Sequence, residues 1–349
     1  MAQAIISRRG GGSGYATITF NGVSALKRTG AAALKYMSAQ LAATTVGDYA
    51  LFGGGVDSNN SYLSTVNAYD TSLTRSSPTS LSVARSELAA TTVGNYALFG
   101  GGSYPISSTV DAYNTSLTRS TPTALSVARY QLAATTVGNY ALFAGGKSAY
   151  DSYSSTVDAY NTSLTRTTPT ALSQSRAELA ATTVGNYALF GGGTLISDGH
   201  YASSNTVDAY NTNLTRSTPT ALSEARSQLA ATIVGNYALF GGGVRLSVVD
   251  AYDTSLTRST PTALSEARSQ LAATTVGNYA LFGGGYNNYD TPYSYTVDAY
   301  YVNNKVLVYP GTKYKLGSMS SESTSSTMQE IETTAPITGY IKIKDATIN

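Results

Sequence analysis

Residues 88–102 read LAATTVGNYALFGGG, and this phrase decides the fold because the chain repeats it. Copies begin at Leu41, Leu88, Leu132, Leu179, Leu229 and Leu271, so the period is 42 to 50 residues. A repeat of that length marks a stack or ring of identical supersecondary units. Within the phrase, Leu-Ala-Ala-Thr-Thr-Val and Tyr-Ala-Leu-Phe both read as short strands. The Gly94-Asn95 pair between them is a hairpin signal, because both residues tolerate positive φ. The glycine triplet ends the second strand at a place where the backbone can turn.

Each copy continues in the same way. A variable gap leads to a third strand, Ser-Thr-Val-Asp-Ala-Tyr, and a polar Asn-Thr-Ser turn. Leu-Thr-Arg-Ser-Thr-Pro-Thr-Ala-Leu-Ser-x-x-Arg then supplies a short fourth strand and a return loop. Four antiparallel strands at this period make one propeller blade. The paired alanines of the first strand have a packing reason, since small side chains fit where six strands converge on an axis.

The two ends explain how such a ring would close. Residues 26–34, LKRTGAAAL, align with residues 214–222, LTRSTPTAL, and both stand at the same distance before their phrase. The sixth phrase is followed by a third strand at residues 295–300 but by no Leu-Thr-Arg segment. The expectation is therefore an all-β, six-bladed propeller over residues 25–301. Its last blade takes its outer strand from residues 26–28, which removes exposed sheet edges. Residues 1–24 form an N-terminal extension and 302–349 a β-rich tail. Residues 15–20 and 339–344 alternate as strands, and together they are expected to form a small β module of the two termini. Residues 306–309 and 314–316 are strand-like, and 318–327 read as a Ser/Thr-rich link.

Composition narrows the function. Only 12% of residues are charged and the net charge is +2, so electrostatic capture of nucleic acid is not expected. There is no cysteine, hence no disulfide or thiolate chemistry. No apolar run spans a bilayer, so no membrane insertion is expected. Residues 1–9 hold only an Ala-Ile-Ile patch, so no secretory signal is expected.

The repeat resembles a kelch motif. The matching features are the arginine before the first strand (Arg85, Arg129, Arg176, Arg226, Arg268), the Tyr and Gly-Gly of the second, and Val-Asp-Ala-Tyr of the third. The resemblance covers residues 26–300 and implies a β-propeller closed by an N-terminal outer strand. One departure is that kelch repeats carry Trp in strand four, where Leu73, Leu117, Leu164, Leu214 and Leu256 stand here. The opening AQAIISRRGG and the close PITGYIKIK resemble the ends of bacteriophage or prophage tail proteins.

The copies differ chiefly in the gap after the glycines: residues 56–63, 103–107, 147–154, 194–204, 244–246 and 286–294. In an antiparallel blade these loops all leave from one face, and variation confined to one face of a repeat protein marks its binding face. They are rich in tyrosine, which gives rigid amphipathic contact area beside adaptable small polar residues. The candidate ligand-binding residues are Asp57, Tyr62, Tyr104, Tyr150, Asp151, Tyr153, Asp198, Tyr201, Tyr286, Tyr289, Asp290 and Tyr293. Rings for sugar faces and Asp or Asn for hydroxyls suit a glycan. This reading makes the chain a non-enzymatic, tail-associated adhesin. It would bind a cell-surface ligand through the loops and other virion or tail proteins through its ends, with assembly among its own copies left open. It would sit on the virion, or in the bacterial cytoplasm before assembly.

Other readings are weaker. The recurring Asp111, Asp158, Asp208, Asp250 and Asp298, with Asn67 in the first copy, suit a blade-to-blade hydrogen-bonding device paired with the arginines. Some kelch propellers are copper oxidases that need histidine ligands and a cysteine-linked tyrosine, but this chain has one histidine, His200, and no cysteine. No cofactor is expected and no metal site is assigned; the loop aspartates could equally bind Ca²⁺, though they lack EF-hand spacing. A polysaccharide-degrading enzyme would need two facing carboxylates drawn from Asp57, Asp151, Asp198 and Asp290, whose separation nothing sets. The glycine triplets are not followed by Lys-Ser/Thr and are not phosphate loops. A purely structural part of a particle is the third alternative.

Overall fold

A computed structural model describes residues 5–7, 15–19, 32–36, 38–149, 152–287 and 293–302, and beyond them five strands between Asn304 and Lys344. Among the described residues every regular element is a β-strand, and no helix is long and apolar enough to cross a membrane. The chain divides into two compact units: Gly30–Tyr300, and Met1–Thr29 with Tyr301–Asn349.

The larger unit is a six-bladed propeller. Blade 1 comprises Ala42–Val46, Tyr49–Gly53, Val66–Tyr69 and Arg75–Ser76. Blade 2 comprises Ala89–Val93, Tyr96–Gly100, Val110–Asn114 and Arg119–Ser120, and blade 3 Ala133–Val137, Tyr140–Ala144, Val157–Asn161 and Arg166–Thr167. Blade 4 comprises Ala180–Val184, Tyr187–Gly191, Val207–Asn211 and Arg216–Ser217. Blade 5 comprises Ala230–Val234, Tyr237–Gly241, Val249–Tyr252 and Arg258–Ser259, and blade 6 Ala272–Val276, Tyr279–Gly283 and Val297–Tyr301. All pairings within a blade are antiparallel; in blade 2, Ala89 faces Gly100 and Gly100 faces Val110. The Gly-Asn hairpin uses positive φ at Gly94 only (+53°), the pattern of a turn with glycine at its first central position.

The core lies between blades rather than inside them. Ala42, Val46, Leu51, Val66 and Ala68 of blade 1 pack on Ala97, Phe99 and Tyr113 of blade 2. Equivalent clusters fill the next four junctions. Phe99 and Tyr113 meet edge to face at 6.0 Å, which suits the quadrupoles of two rings. The leucines taken for strand four sit one step earlier, in the turn: Leu117 has φ +59° and Leu214 +62°. The outer strand starts at the arginine two residues later. Asn114 Oδ1 caps this turn by accepting the N–H groups of Ser116 and Thr118 at 3.0 and 2.9 Å. The left-handed conformation turns Leu117 onto the cluster between blades 1 and 2, so packing offsets a backbone cost of about 1–2 kcal/mol.

Each Arg–Asp pair ties an interblade connection to the blade it enters. Arg85, in the connection from blade 1, donates to Asp111 at 2.8 Å with both side chains 0% exposed. It also donates to the Phe99 carbonyl, while Asp111 accepts the Ser82 N–H. The other copies repeat the pair at Arg129–Asp158, Arg176–Asp208, Arg226–Asp250 and Arg268–Asp298. Blade 1 departs at both partners: Ser38 stands at the arginine position and Asn67 at the aspartate position. A carboxylate buried there would lack its cation.

The inner strands are stitched by threonines. Thr91 and Thr136 share a hydrogen bond at 2.9 Å, and the Thr136 hydroxyl also donates to the Thr92 carbonyl. The same pair of bonds joins Thr135 and Thr183 to the backbone of Thr136. Ile233 interrupts the belt between blades 4 and 5. Thr136→Val keeps the shape and removes both bonds, so it is expected to cost about 1–2 kcal/mol in urea unfolding. An unchanged midpoint would show that the belt contributes nothing.

The N-terminal alignment holds in its return loop. Tyr69 Oη donates to the Ala32 carbonyl at 2.7 Å, as Tyr113 Oη does to Thr79 and Tyr210 Oη to Thr170. Arg75 likewise donates to Ala33 and Arg119 to Ser80. The closing strand itself, residues 26–28, lies outside the described residues. Among the described residues blade 6 therefore has three strands, and Asp298 is 17% exposed where its counterparts are 0%. Among the described residues the sixth junction shows no cluster like those of the other five: Val276 is 38% exposed, whereas Val46 is 1%.

In the smaller unit, Tyr15–Thr19 lies between Ile5–Ser7 and Tyr340–Lys344, with Tyr15 opposite Lys344 and Thr19 opposite Tyr340. The two termini thus share one antiparallel sheet, as their alternation suggested. Asn304–Val308 pairs with Gln329–Thr333, and Lys313–Tyr314 with Ser323–Thr324. The stretch read as a link therefore contains a short strand.

Candidate functional site

The register of the blades sorts the connections onto two faces. The Gly-Asn and Asn-Thr-Ser turns lie on one, the variable loops and return loops on the other. Each variable loop is rooted against the return loop beside it. Ser86 pairs with Ser103, Tyr130 with Lys147, Ala177 with Thr194, and Ser269 with Tyr286. In blade 1, Ser38–Ala39 pairs with Val56–Asp57.

Several candidate residues converge on the sector of blades 1 to 3. Tyr62 and Tyr104, from neighbouring loops, stack at 4.7 Å with planes 13° apart, and Tyr104 remains 65% exposed. Burial, then Tyr104, then Glu87 push the Tyr62 hydroxyl up. Tyr153 lies opposite Lys147 in a short hairpin, and the Lys147 ammonium sits 5.0 Å from its ring centre. Burial pulls the Lys147 ammonium down, but Tyr153 and Tyr130 outweigh it and hold it above the usual lysine range. Tyr130, not among the expected site residues, joins the group: burial raises its hydroxyl while Lys147 opposes.

The remaining candidates are spread round the ring. The gap in blade 4 is an ordered hairpin, Thr194–Ser197 against His200–Ser203, with Ile196 opposite Tyr201. Its turn is Asp198-Gly199, both at positive φ (+51° and +77°), so Asp198 serves the turn. Tyr201 is 60% exposed, and His200 faces Ser197 across the hairpin. Asp57 is likewise engaged locally, its Oδ1 accepting the N–H groups of Asn59 and Ser61 at 2.8 Å. Tyr286 and Tyr293 meet edge to face at 6.2 Å, with Tyr293 78% exposed. Glu266 reaches this loop from the return segment, bonding Ser294 and Asn287; the Ser294 hydroxyl holds its carboxyl below the usual range. Tyr150, Asp151, Tyr289 and Asp290 lie outside the described residues.

Sequence reading missed one feature, a hoop of six residues inside the loops. Gln40, Glu87, Gln131, Glu178, Gln228 and Gln270 each precede the repeated phrase, and each has positive φ between +53° and +56°. From Glu87 onward the N–H of each donates to the carbonyl of the one before it: Glu87 to Gln40, Gln131 to Glu87, and so on to Gln270, five bonds at 2.9 to 3.1 Å. The two carboxylates are fixed alike. Glu87 accepts Ser103 Oγ at 2.9 Å and Gln131 Nε2 at 2.8 Å. Glu178 accepts Thr194 Oγ1 at 2.8 Å and Gln228 Nε2 at 3.3 Å. The signal was present in the sequence. Ser or Thr follows the glycine pair only in the two blades that carry Glu; the other four place Val56, Lys147, Val244 and Tyr286 there beside Gln.

Among the described residues no three His, Cys, Asp or Glu side chains are grouped to hold a metal ion. What the face offers is exposed rings, acceptor carboxylates held in place, and hydroxyls. No family model matches the chain, and no curated protein matches it. Among solved structures, one of YjhT is similar with a TM-score of 0.58, covering 75% of this chain and 94% of that one at 11% identity. The chain is a six-bladed β-propeller. At that identity the likeness speaks for the fold alone.

Proposed function

We propose that this propeller is a non-enzymatic, kelch-type binding protein that recognises a glycan on a bacterial surface through its loop face. The observation that carries the reading is the contrast between faces. Strands, turns and interblade contacts repeat nearly residue for residue, while the loops differ in length, backbone and aromatic placement. The stacked Tyr62–Tyr104 pair and the exposed Tyr201 and Tyr293 present flat rings of the kind on which sugar faces stack. The sheet shared by the two ends fits an attachment part, and in this reading it joins the propeller to a bacteriophage tail or similar particle. No catalytic step is assigned, since Asp57 and Asp198 are occupied in turns.

Replacing Tyr104, Tyr201 and Tyr293 together by Ala tests the reading by cell binding and thermal melting. Each stacked ring contributes about 1 kcal/mol. Loss of all three is therefore expected to weaken binding by roughly a hundredfold with the fold intact. Unchanged binding by a folded variant would exclude this face.

A further inference from the structure

We infer that the ligand of this face is a glycan without acidic groups, seated on the Tyr62–Tyr104 stack and donating its hydroxyls to the fixed carboxylates Glu87 and Glu178. The inference rests on the binding role proposed above and adds its chemistry. An acidic sugar needs a cation, and the arginines of the repeat are already committed. Arg85, Arg129, Arg176, Arg226 and Arg268 are buried against their aspartates. Of the outer arginines, Arg75, Arg119, Arg166 and Arg216 donate to return-loop carbonyls, and Arg258 bonds Asp250.

The lysines and arginines left on the loop face, among the described residues, are Lys35, Lys147 and Arg245. Lys147 lies against the Tyr153 ring and within reach of the Glu178 charge, and Lys35 lies against the ring of Tyr36. Among the described residues six carboxylates belong to the loops and return segments of that face: Asp57, Glu87, Glu178, Asp198, Glu224 and Glu266. Two of them, on the hoop, are held by a hydroxyl and an amide N–H each. A carboxylate accepts and never donates, so its free lone pairs select hydroxyl donors and repel a second carboxylate. Glu87 lies close enough to Tyr62 to raise its hydroxyl, so the exposed ring of Tyr104 supplies apolar surface beside that carboxylate.

The test is binding of the full chain to a polyuronate and to the same polymer after its carboxyls are reduced to alcohols, with neutral glucans and galactans alongside. The reduced polymer is expected to bind at least about tenfold more tightly than its parent, the discrimination that like-charge contact gives. Glu87→Gln with Glu178→Gln should bring the two polymers within about threefold. Glutamine occupies the four other hoop positions, so this variant is expected to fold. If it does not, the comparison of the two polymers on the native chain decides alone. Equal or tighter binding of the parent polyuronate overturns the inference and leaves the binding role standing. Cell binding without binding to any carbohydrate, including polysaccharide stripped from those cells, overturns both the glycan reading and this inference.

Discussion

Serine in place of Arg176 is expected to destabilise the propeller by about 3–5 kcal/mol, the cost of leaving a buried carboxylate without its cation. Arg176 is fully buried and donates to Asp208 at 2.6 Å, to the Gly192 carbonyl at 2.7 Å and to the Phe190 carbonyl at 3.1 Å. Burial works against its charge and Asp208 supports it. The chain already contains the remedy. Blade 1 has Ser38 and Asn67 at the two positions, and Asn67 still accepts a backbone N–H, that of Lys35 at 3.2 Å. Asp208→Asn added to Arg176→Ser should therefore recover about half of the loss. The rest reflects carbonyls that stay unpaired. Urea unfolding of both variants decides the matter. A double variant no more stable than the single would mean that the charge is not the source of the cost.

The second large effect is a contrast between adjacent glycines. Gly100→Ala is expected to cost less than about 1.5 kcal/mol. A Cβ there meets Phe143 Cε1 at 2.8 Å, but blade 3 carries Ala144 at the same position with Phe190 packed in the same cluster. Gly101→Ala is expected to cost about 2–5 kcal/mol, from a left-handed backbone and a clash that cannot relax. Its φ is +72°, and the added Cβ falls 2.5 Å from the Arg129 carbonyl oxygen. That oxygen also accepts the Gly102 N–H at 2.9 Å, so it cannot move without loss. Thermal melts of the two variants should differ widely; equal melts would show that the connection from blade 2 to blade 3 is pliable.

Much of this architecture is legible because repetition multiplies weak signals. One copy of Ala-Ala-Thr-Thr-Val is an ambiguous apolar run, but six copies at one period fix strand, turn and blade together. The Arg–Asp device was legible for the same reason. Leu117 and its equivalents were misplaced because leucine has no preference for left-handed backbone; only packing against the preceding blade puts it there. The hairpin of residues 194–203 was written in Asp198-Gly199 yet read as loop, since the flanking residues do not alternate cleanly. The stack of Tyr62 on Tyr104 joins two loops 42 residues apart, and no local pattern encodes such a meeting. The hoop of Gln and Glu was visible as a position that never varies beyond those two types, but its meaning lay in a backbone bond from each blade to the next.

Five junctions carry that bond, the threonine stitches or the aromatic clusters, and the face of blade 6 at Val276 carries none among the described residues. Couplings of this kind act between nearest neighbours, as in a linear array. Among the described residues such an array has two ends, blade 1 and blade 6, and an end element is held from one side only. Blades 2 to 5 are clamped by two neighbours each, so fluctuations there must break two sets of contacts at once. Blade 6 can fray by breaking one set. The propeller would then open like a fan from its outermost leaves, and the stacked pair of Tyr62 and Tyr104, which spans blades 1 and 2, would part when blade 1 swings away from its single neighbour.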